Sequence, residues 1–202
     1  MDGIIVINKP KGITSREVVN KVCKLLNTKK VGHTGTLDPI ATGVLVLCVG
    51  KATKLVETLT SNDKEYVATV KLGILTDTLD TDGTIIEKKS VNLDKDKLVN
   101  VLNSFIGTYN QEVPIYSAVK VNGKKLYEYA RAKKEVTIPK RMVEIKKIKL
   151  IEFGNDYYKF KVTVSKGTYI RSLIKDINDK LGVIGVTVSY THLRAHETTL
   201  HL

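Results

Sequence analysis

Long hydrophobic runs are missing from this 202-residue sequence, whose most apolar stretch is GVLVLCVG at 43–50. A membrane-spanning helix needs about 20 apolar residues in succession, so a membrane bundle is excluded. Cysteine is also scarce, because Cys23 and Cys48 are the two present and their spacing suits neither a metal site nor a redox motif. Since the N-terminus lacks a signal-peptide pattern as well, we expect a cytoplasmic protein with reduced thiols.

Several motifs of cofactor and metal chemistry are absent too. The sequence has no glycine-rich phosphate loop and no GxSxG nucleophile motif. The segment TDTLDTDG at 76–83 has some of the acidic spacing of a calcium loop, but Lys89 stands where the bidentate glutamate belongs. His192 and His196 lie four residues apart without a well-placed third ligand. We therefore expect neither a calcium site nor a zinc site, and no metal.

Acidic residues are fewer than basic residues in this sequence. The chain has 33 lysines and arginines against 21 aspartates and glutamates, which gives a net charge of +12. Half of this excess lies in the segment 113–141, which holds eight basic and two acidic residues. Such a surface favours a polyanionic partner, most often nucleic acid. A lysine-rich surface that serves only solubility stays an alternative.

Hydrophobic periodicity predicts strands interspersed with helices in one folded domain. Thr14 and Glu17 form a capping-box pattern at the start of a helix, and Asn122-Gly123 predicts a two-residue hairpin turn. This mixture of helices and hairpins indicates an α+β fold with a largely antiparallel sheet. The predicted strands are 3–10, 44–50, 64–73, 141–153 and 157–164, and the predicted loops are 31–43 and 74–83. Longer helices are predicted to begin near 14, 94 and 167, and short helices are predicted at 51–60 and 124–132.

Two segments carry residues with catalytic potential. GHTGTLDP at 32–39 can present the carboxylate of Asp38 from a rigid turn, although an Asx-turn role for Asp38 explains the pattern equally. His33 is either a structural hydrogen-bonding residue or a functional one. SKGTYIRS at 165–172 places Arg171 in the opening turn of a helix, where the helix dipole disfavours a cation. Arg171 is therefore expected to pair with a carboxylate or an RNA phosphate, with an exposed surface arginine as the alternative.

Five separated segments together resemble the TruB family of bacterial tRNA pseudouridine-55 synthases. The resemblance covers about residues 3–189 in the order of the family, and GHTGTLDPxATGVL is close to diagnostic of it. The five segments are NKPKGITS at 8–15, GHTGTLDPIATGVLVLCVGKATK at 32–54, KEYVATVKLG at 64–73, YSAVKVNGKKLYEYAR at 116–131 and SKGTYIRSL at 165–173.

The resemblance implies the pseudouridine synthase fold, an α+β architecture whose mixed, largely antiparallel sheet is flanked by helices. It also implies an isomerase that flips uridine 55 out of the T loop of tRNA and converts it to pseudouridine without a cofactor. Asp38 matches the catalytic aspartate, Tyr66 the tyrosine that stacks on the target uracil, and Arg171 the arginine that pairs with the carboxylate.

Substrate-binding residues are implied in the same way. His33 matches a histidine that contacts the T loop, and Lys9 with Pro10 matches a motif that packs behind the catalytic loop and is assigned to substrate binding. The basic segment, about 113–141, corresponds to an RNA-gripping insertion. The expected partner is the T arm of tRNA, with no membrane, no obligate protein partner and a monomeric state. The remaining residues assigned to substrate binding are Tyr169, Lys124, Lys125, Arg131 and Arg141.

The sequence departs from the family at three places. Val113 replaces a usual proline, Lys133-Lys134 replaces a usual glycine, and the resemblance stops near Ser189. We therefore predict a catalytic domain over 1–189, with 190–202 a tail foreign to the family that is hypothesised not to be native. The C-terminal RNA-binding domain of the family is expected to be absent. A non-catalytic tRNA-binding module and a guide-RNA-dependent pseudouridine synthase stay as alternatives.

Overall fold

The computed structural model describes residues 1–60 and 63–194. Strands and helices are interspersed along the chain, which also contains a short 3-10 helix at Gly50–Leu55. The strands are β1 (Gly3–Lys9), β2 (Val31–His33), β3 (Thr42–Val49), β4 (Lys64–Leu72), β5 (Ile74–Thr76), β6 (Ile85–Lys88), β7 (Gly107–Glu112), β8 (Lys120–Val121), β9 (Lys124–Lys125), β10 (Lys140–Phe153), β11 (Tyr157–Val164) and β12 (Gly185–Arg194). The helices are α1 (Ser15–Leu25), α2 (Val56–Thr60), α3 (Lys95–Asn103), α4 (Leu126–Arg131) and α5 (Ile170–Leu181).

One eight-stranded sheet organises the domain. Its strand order is β1-β3-β12-β4-β11-β10-β7, and β2 pairs with β3 beside this path. Neighbouring strands run antiparallel except β12 and β3, which are parallel. The predicted α+β class with a mixed, largely antiparallel sheet is confirmed.

Three amphipathic helices and the sheet bury one hydrophobic core. The apolar stripes of α1, α3 and α5 contribute residues such as Val19, Leu98 and Leu173, which are 0–2% exposed. Alternate residues of β4 and β11 complete the core because successive strand side chains point to opposite faces. The placement of α1 and α5 against the sheet fixes the two segments that carry the predicted catalytic residues.

The predicted capping box is present at the start of α1. The Glu17 amide donates to the Thr14 hydroxyl oxygen at 3.1 Å, and the Thr14 amide donates to the Glu17 carboxylate at 2.7 Å. The predicted hairpin turn is also present, since Asn122 and Gly123 connect β8 to β9 with φ angles of 50° and 79°. Both φ values are those of the two-residue turn that Asn-Gly favours.

Two regions predicted as loops contain strands. Residues Val31–His33 of the predicted loop 31–43 form β2 against the end of β3. Residues Ile74–Thr76 of the predicted loop 74–83 form β5, which pairs with β6 in a separate hairpin. Each strand is three residues long, too short for the alternation that marks a strand in sequence.

Strand β12 passes through the boundary predicted at residue 189. Tyr190 pairs with Ala68 and His192 pairs with Tyr66, so residues 190–194 belong to the central sheet. The rest of the predicted tail, 195–202, lies outside the described residues. Within the described ranges, no helix combines the length and the apolar character that crossing a membrane requires.

Candidate active site

A cleft of about 350 Å³ opens where the loop before β3, strand β4 and the start of α5 meet. Its lining includes the three predicted catalytic residues Asp38, Tyr66 and Arg171, together with Tyr116, Tyr169 and Tyr190. Binding pockets for small molecules or single bases are typically of this size and mixed polarity. The sequence-distant residues predicted to act together therefore share one cleft.

Asp38 and Arg171 form a two-point ion pair in this cleft. Arg171 Nε donates to Asp38 Oδ2 at 2.8 Å, and Arg171 Nη2 donates to Asp38 Oδ1 at 3.2 Å. The arginine side chain is 6% exposed and the aspartate side chain 26%. A fork-to-fork contact of this kind fixes both the position and the orientation of the carboxylate. One side of Asp38 stays accessible from the cleft.

Two backbone carbonyls hold the same guanidinium from behind. Arg171 Nη1 donates to Thr78 O at 2.9 Å, and Nη2 donates to Tyr116 O at 3.1 Å. Burial alone would lower the pKa of Arg171, but the negative groups around it, led by Asp38, outweigh that effect and raise the pKa. The guanidinium is thus a fixed positive charge at the base of the cleft.

Asp80 is a second acidic partner of Arg171, which the sequence reasoning missed. Its Oδ2 lies 3.7 Å from Arg171 Nη1, and its Oδ1 accepts from the Thr78 hydroxyl at 2.5 Å and the Asp82 amide at 3.1 Å. Burial raises the pKa of Asp80, although these hydrogen bonds and the charge of Arg171 oppose that shift. The acidic residues of 76–83 suggested only a comparison with a calcium loop, whereas the carboxylate of Asp80 faces the guanidinium of Arg171.

The loop that carries Asp38 is tied to the body of the domain. The Ser15 hydroxyl accepts from the Leu37 amide at 2.8 Å and donates to the Leu37 carbonyl at 2.9 Å. Lys9 Nζ donates to Ala41 O at 2.8 Å and to Pro10 O at 2.9 Å. These contacts bracket Asp38 on both sides and position its carboxylate.

Lys9 does not line the cleft. Its side chain is fully buried, and burial lowers its pKa while the charge of Asp38 opposes that shift. The assignment of Lys9 to substrate binding does not fit this burial, because its ammonium already donates to two carbonyls behind the loop. Its place behind the loop that carries Asp38 agrees with the packing that the resemblance implied for Lys9 and Pro10.

Tyr66 forms one wall of the cleft and is largely buried. Its ring lies 5.9 Å from the Tyr190 ring in a T-shaped contact and 4.9 Å from the His192 ring in a stacked contact. Burial raises the pKa of Tyr66 well above its usual range. The neutral ring therefore presents an aromatic surface beside Asp38.

Tyr190 adds a contact that the sequence reasoning placed outside the site. Its hydroxyl donates to Asp38 Oδ2 at 2.7 Å and accepts from the Asp38 amide at 3.3 Å. Burial raises the pKa of Tyr190, so the hydroxyl stays protonated as a donor. The family resemblance stops near Ser189, one residue before Tyr190, so it gave no indication of this contact.

The other predicted substrate-binding residues are divided between the cleft and its surroundings. Tyr169 lines the cleft, whereas His33 ends β2 just before the lining residues begin. Burial, with a smaller contribution from the charge of Arg16, lowers the pKa of His33. Lys124, Arg131 and Arg141 are exposed and Lys125 is half-buried, outside the cleft lining.

Two of these cations flank the aromatic ring of Tyr127, which lines the cleft. Lys125 Nζ and the Arg131 guanidinium carbon each lie 5.3 Å from the centre of the Tyr127 ring. Tyr127 itself lines the cleft. The basic segment 113–141 thus reaches the cleft through an aromatic side chain with positive charge around it.

A family profile described as "TruB family pseudouridylate synthase (N terminal domain)" matches residues 23–170. The sheet, the cleft and this match define a pseudouridine synthase domain. The chain belongs to the TruB family.

Curated relatives agree with that assignment. The chain is 48% identical over 200 residues to a protein of Fusobacterium nucleatum named tRNA pseudouridine synthase B, covering 99% of this chain and 70% of that protein. It is 52% identical over 189 residues to the Bacillus subtilis protein of the same name, covering 90% of this chain and 61% of that protein. The chain therefore spans 61–70% of the length of these two relatives.

Solved structures share the architecture. A Cbf5-Nop10-Gar1 complex contains a chain with a TM-score of 0.74 and 34% identity, covering 95% of this chain and 48% of that one. An H/ACA RNP bound to a substrate RNA that contains 2'-deoxyuridine contains a chain with a TM-score of 0.70 and 31% identity, covering 95% of this chain and 47% of that one.

Proposed function

We propose that this chain isomerises uridine 55 in the T loop of tRNA to pseudouridine. The observation that carries the proposal is the two-point pair between Arg171 and Asp38, at 2.8 and 3.2 Å, beside the Tyr66 wall of the cleft. The proposal is supported by relatives named tRNA pseudouridine synthase B at 48–52% identity. On this proposal the activity is cytoplasmic, as expected for an enzyme that modifies tRNA.

Asp38 supplies the reactive carboxylate in the proposed reaction. The bond between N1 of uracil and C1′ of ribose breaks, the base turns, and C5 bonds to C1′. The proton on C5 is lost and N1 gains one, so substrate and product are isomers. The carboxylate either attacks the sugar or the base as a nucleophile or removes a proton from the sugar. Both routes use ionised Asp38, which Arg171 orients.

Tyr66 is proposed to hold the flipped base. A base inside the folded T loop must leave its stack, which costs a few kcal/mol. Stacking on an aromatic side chain offsets about 1–3 kcal/mol of that cost. The Tyr66 ring borders the same cleft as the Asp38 carboxylate, so a base lying on it places its ribose near that carboxylate.

The basic segment 113–141 is proposed to bind phosphates of the T arm. Lys124 and Arg131 are exposed there, and Tyr127 connects the segment to the cleft. Phosphate contacts orient the RNA and make affinity dependent on salt. On this proposal the chain acts as a monomer, without a guide RNA or an obligate protein partner.

Site-resolved pseudouridine detection on an unmodified tRNA transcript tests the proposal. The wild-type chain, with no other RNA or protein present, is expected to modify uridine 55 and no other uridine. A transcript with cytidine at that position is the matched control and is expected to stay unmodified. Absence of modification, with tRNA binding intact, contradicts the proposal.

Retention of tRNA without conversion is the second candidate function. It is favoured by the Tyr190 hydroxyl, which occupies Asp38 Oδ2 at 2.7 Å together with Arg171 Nε. On this alternative the wild type binds tRNA without converting uridine 55, and Tyr190→Phe gains conversion because it frees Oδ2 from a hydrogen bond that contributes about 1.5–3 kcal/mol. Conversion of uridine 55 by the wild type counts against this alternative.

A further inference from the structure

We infer that Gln111 is a positioning residue that sets the first turn of α5 and through it the guanidinium of Arg171. The inference rests on the proposed function for its effect on catalysis, but its structural part is measurable without substrate. Gln111 lies on β7, is 1% exposed, does not itself line the cleft and has no hydrogen bond to Asp38.

The amide of Gln111 binds both backbone groups of Tyr169. Its Oε1 accepts from the Tyr169 amide at 2.7 Å, and its Nε2 donates to the Tyr169 carbonyl at 3.1 Å. That carbonyl also accepts the helical bond from Leu173 at 3.0 Å. A side-chain amide is the group that satisfies a peptide donor and acceptor at once.

The start of α5 needs such support. Tyr169 is its N-cap and its side chain makes no capping hydrogen bond to the helix, and the first turn contains no acidic residue. The first turn instead carries Arg171, whose charge the helix dipole disfavours at that end. Unsatisfied peptide groups at a helix start are normally bound by the side chain of the N-cap residue itself. At the start of α5, hydrogen bonds come instead from Gln111 on the neighbouring strand β7.

A second contact connects β7 to α5 two turns further along. Gln111 Nε2 donates to the Tyr109 hydroxyl at 2.7 Å, and that hydroxyl donates to Asp176 Oδ2 at 3.2 Å. Strand β7 is itself paired with β10, where Gln111 lies opposite Arg141. Strand β7 therefore holds α5 at residues 169 and 176, and these two contacts fix the position of the helix along its own axis.

Arg171 follows Tyr169 by two residues, so any displacement of Tyr169 moves the guanidinium. That guanidinium makes two bonds to Asp38 and two to backbone carbonyls, all between 2.8 and 3.2 Å. A shift of 1 Å at a reacting group is enough to lower a rate about 100-fold. Gln111 thus affects the carboxylate through Arg171 rather than by contact.

The same α5 supplies a matched control at its far end. Asn178 is also a buried amide, with Oδ1 accepting from the Tyr158 hydroxyl at 2.9 Å and Nδ2 donating to the Gly185 carbonyl at 3.1 Å. Gln111→Met and Asn178→Leu each replace a buried amide by an apolar side chain of similar size. Both variants lose stability, but only the first lies at the Arg171 end of α5.

The test is the Nε–H resonance of Arg171 in the free protein. The chain has five arginines, so comparison with the Arg171→Lys spectrum assigns the signal. We expect the signal to shift or broaden in Gln111→Met and to stay in place in Asn178→Leu. If Gln111→Met does not fold, Tyr109→Phe replaces it in the test, because that variant removes only the hydroxyl contacts to Gln111 and Asp176. Tyr109→Phe is expected to shift the Arg171 signal in the same direction but by less. An unchanged signal in the folded Gln111 variant, or equal shifts in both amide variants, overturns the inference.

Conversion at saturating enzyme gives the second readout. We expect Gln111→Met to lower the single-turnover rate constant at least about 10-fold with tRNA affinity within threefold, since misorientation affects the chemical step. Asn178→Leu is expected to keep the rate within twofold below its unfolding temperature. A wild-type chain without activity overturns the proposed function alone, because the resonance decides the role of Gln111.

Discussion

Asp38 and Arg171 lie 133 residues apart in the chain and meet through two hydrogen bonds at 2.8 and 3.2 Å. The pair joins the loop before β3 to the first turn of α5, the two segments that the fold brings to the cleft. Because Arg171 is almost fully buried and also binds two carbonyls, its position is fixed before any substrate arrives. The carboxylate is thereby oriented in the free protein.

Asp80 is expected to support this pair. Asp80→Asn removes a charge 3.7 Å from the guanidinium, so Arg171 gains freedom to move away from Asp38. We expect the single-turnover rate to fall about 10-fold with little change in tRNA affinity, as for other misplaced catalytic groups. Single-turnover conversion beside a tRNA-binding assay measures both quantities.

Asp82→Asn is the matched control for that change. Asp82 is exposed and contributes its backbone amide rather than its carboxylate to Asp80. Its substitution is expected to leave the rate within twofold. Equal rates in the two variants would show that Asp80 has no part in orienting Arg171.

The basic segment 113–141 is expected to determine how binding responds to salt. Replacing Lys124 and Arg131 by glutamine removes two exposed cations of this segment, of which Arg131 lies beside the Tyr127 ring. We expect weaker tRNA binding and a slope of log affinity against log salt that is shallower by about 1–2, since each lost phosphate contact contributes about 0.9 or less. Titrations at several salt concentrations provide that slope.

Lys147 and Lys149 offer the comparison, because they are exposed on β10 outside that segment. The corresponding double glutamine variant has the same loss of charge. It is expected to change the slope by less than the variant with Lys124 and Arg131 replaced. Equal slopes would mean that net charge alone, rather than this segment, binds the RNA.

His33 gives a prediction for stability against pH. Burial, and to a lesser degree the charge of Arg16, lowers the pKa of His33 in the folded chain below its value in the unfolded chain. The unfolded state then binds the proton first, so this contribution to stability is present above pH 6.5 and decreases as the pH falls below it. Urea unfolding at pH 7.5 and 5.5 measures the change.

The variant His33→Gln removes this group. Its loss of stability between the two pH values is expected to be smaller than that of the wild type. An identical loss in both proteins would show that the ring is not desolvated in the folded state.

The parts of the fold that could be predicted were those marked by a local motif or by several periods of hydrophobic alternation. Thr14 and Glu17 cap α1 as their spacing indicates, and Asn122-Gly123 turns between β8 and β9. Strands β2 and β5 were missed because three residues give no periodicity, and their pairing depends on partners elsewhere in the chain.

The site was predictable only where a recognisable segment carried the residue. The structure brings Asp38, Tyr66 and Arg171 into one cleft as the resemblance implied. Asp80 and Gln111 were not predicted because their partners, Arg171 and Tyr169, are distant in sequence, and no local spacing indicates such contacts.

Replacement of Asp38 by asparagine tests the central claim most directly. Asp38→Asn keeps the size of the side chain but removes the charge that both proposed routes require. Wild type and variant are incubated with unmodified tRNA, and pseudouridine at position 55 and tRNA affinity are measured in parallel. The account predicts conversion by the wild type, none by the variant, and affinities within a few-fold of each other. Conversion by Asp38→Asn at a rate near that of the wild type would contradict it.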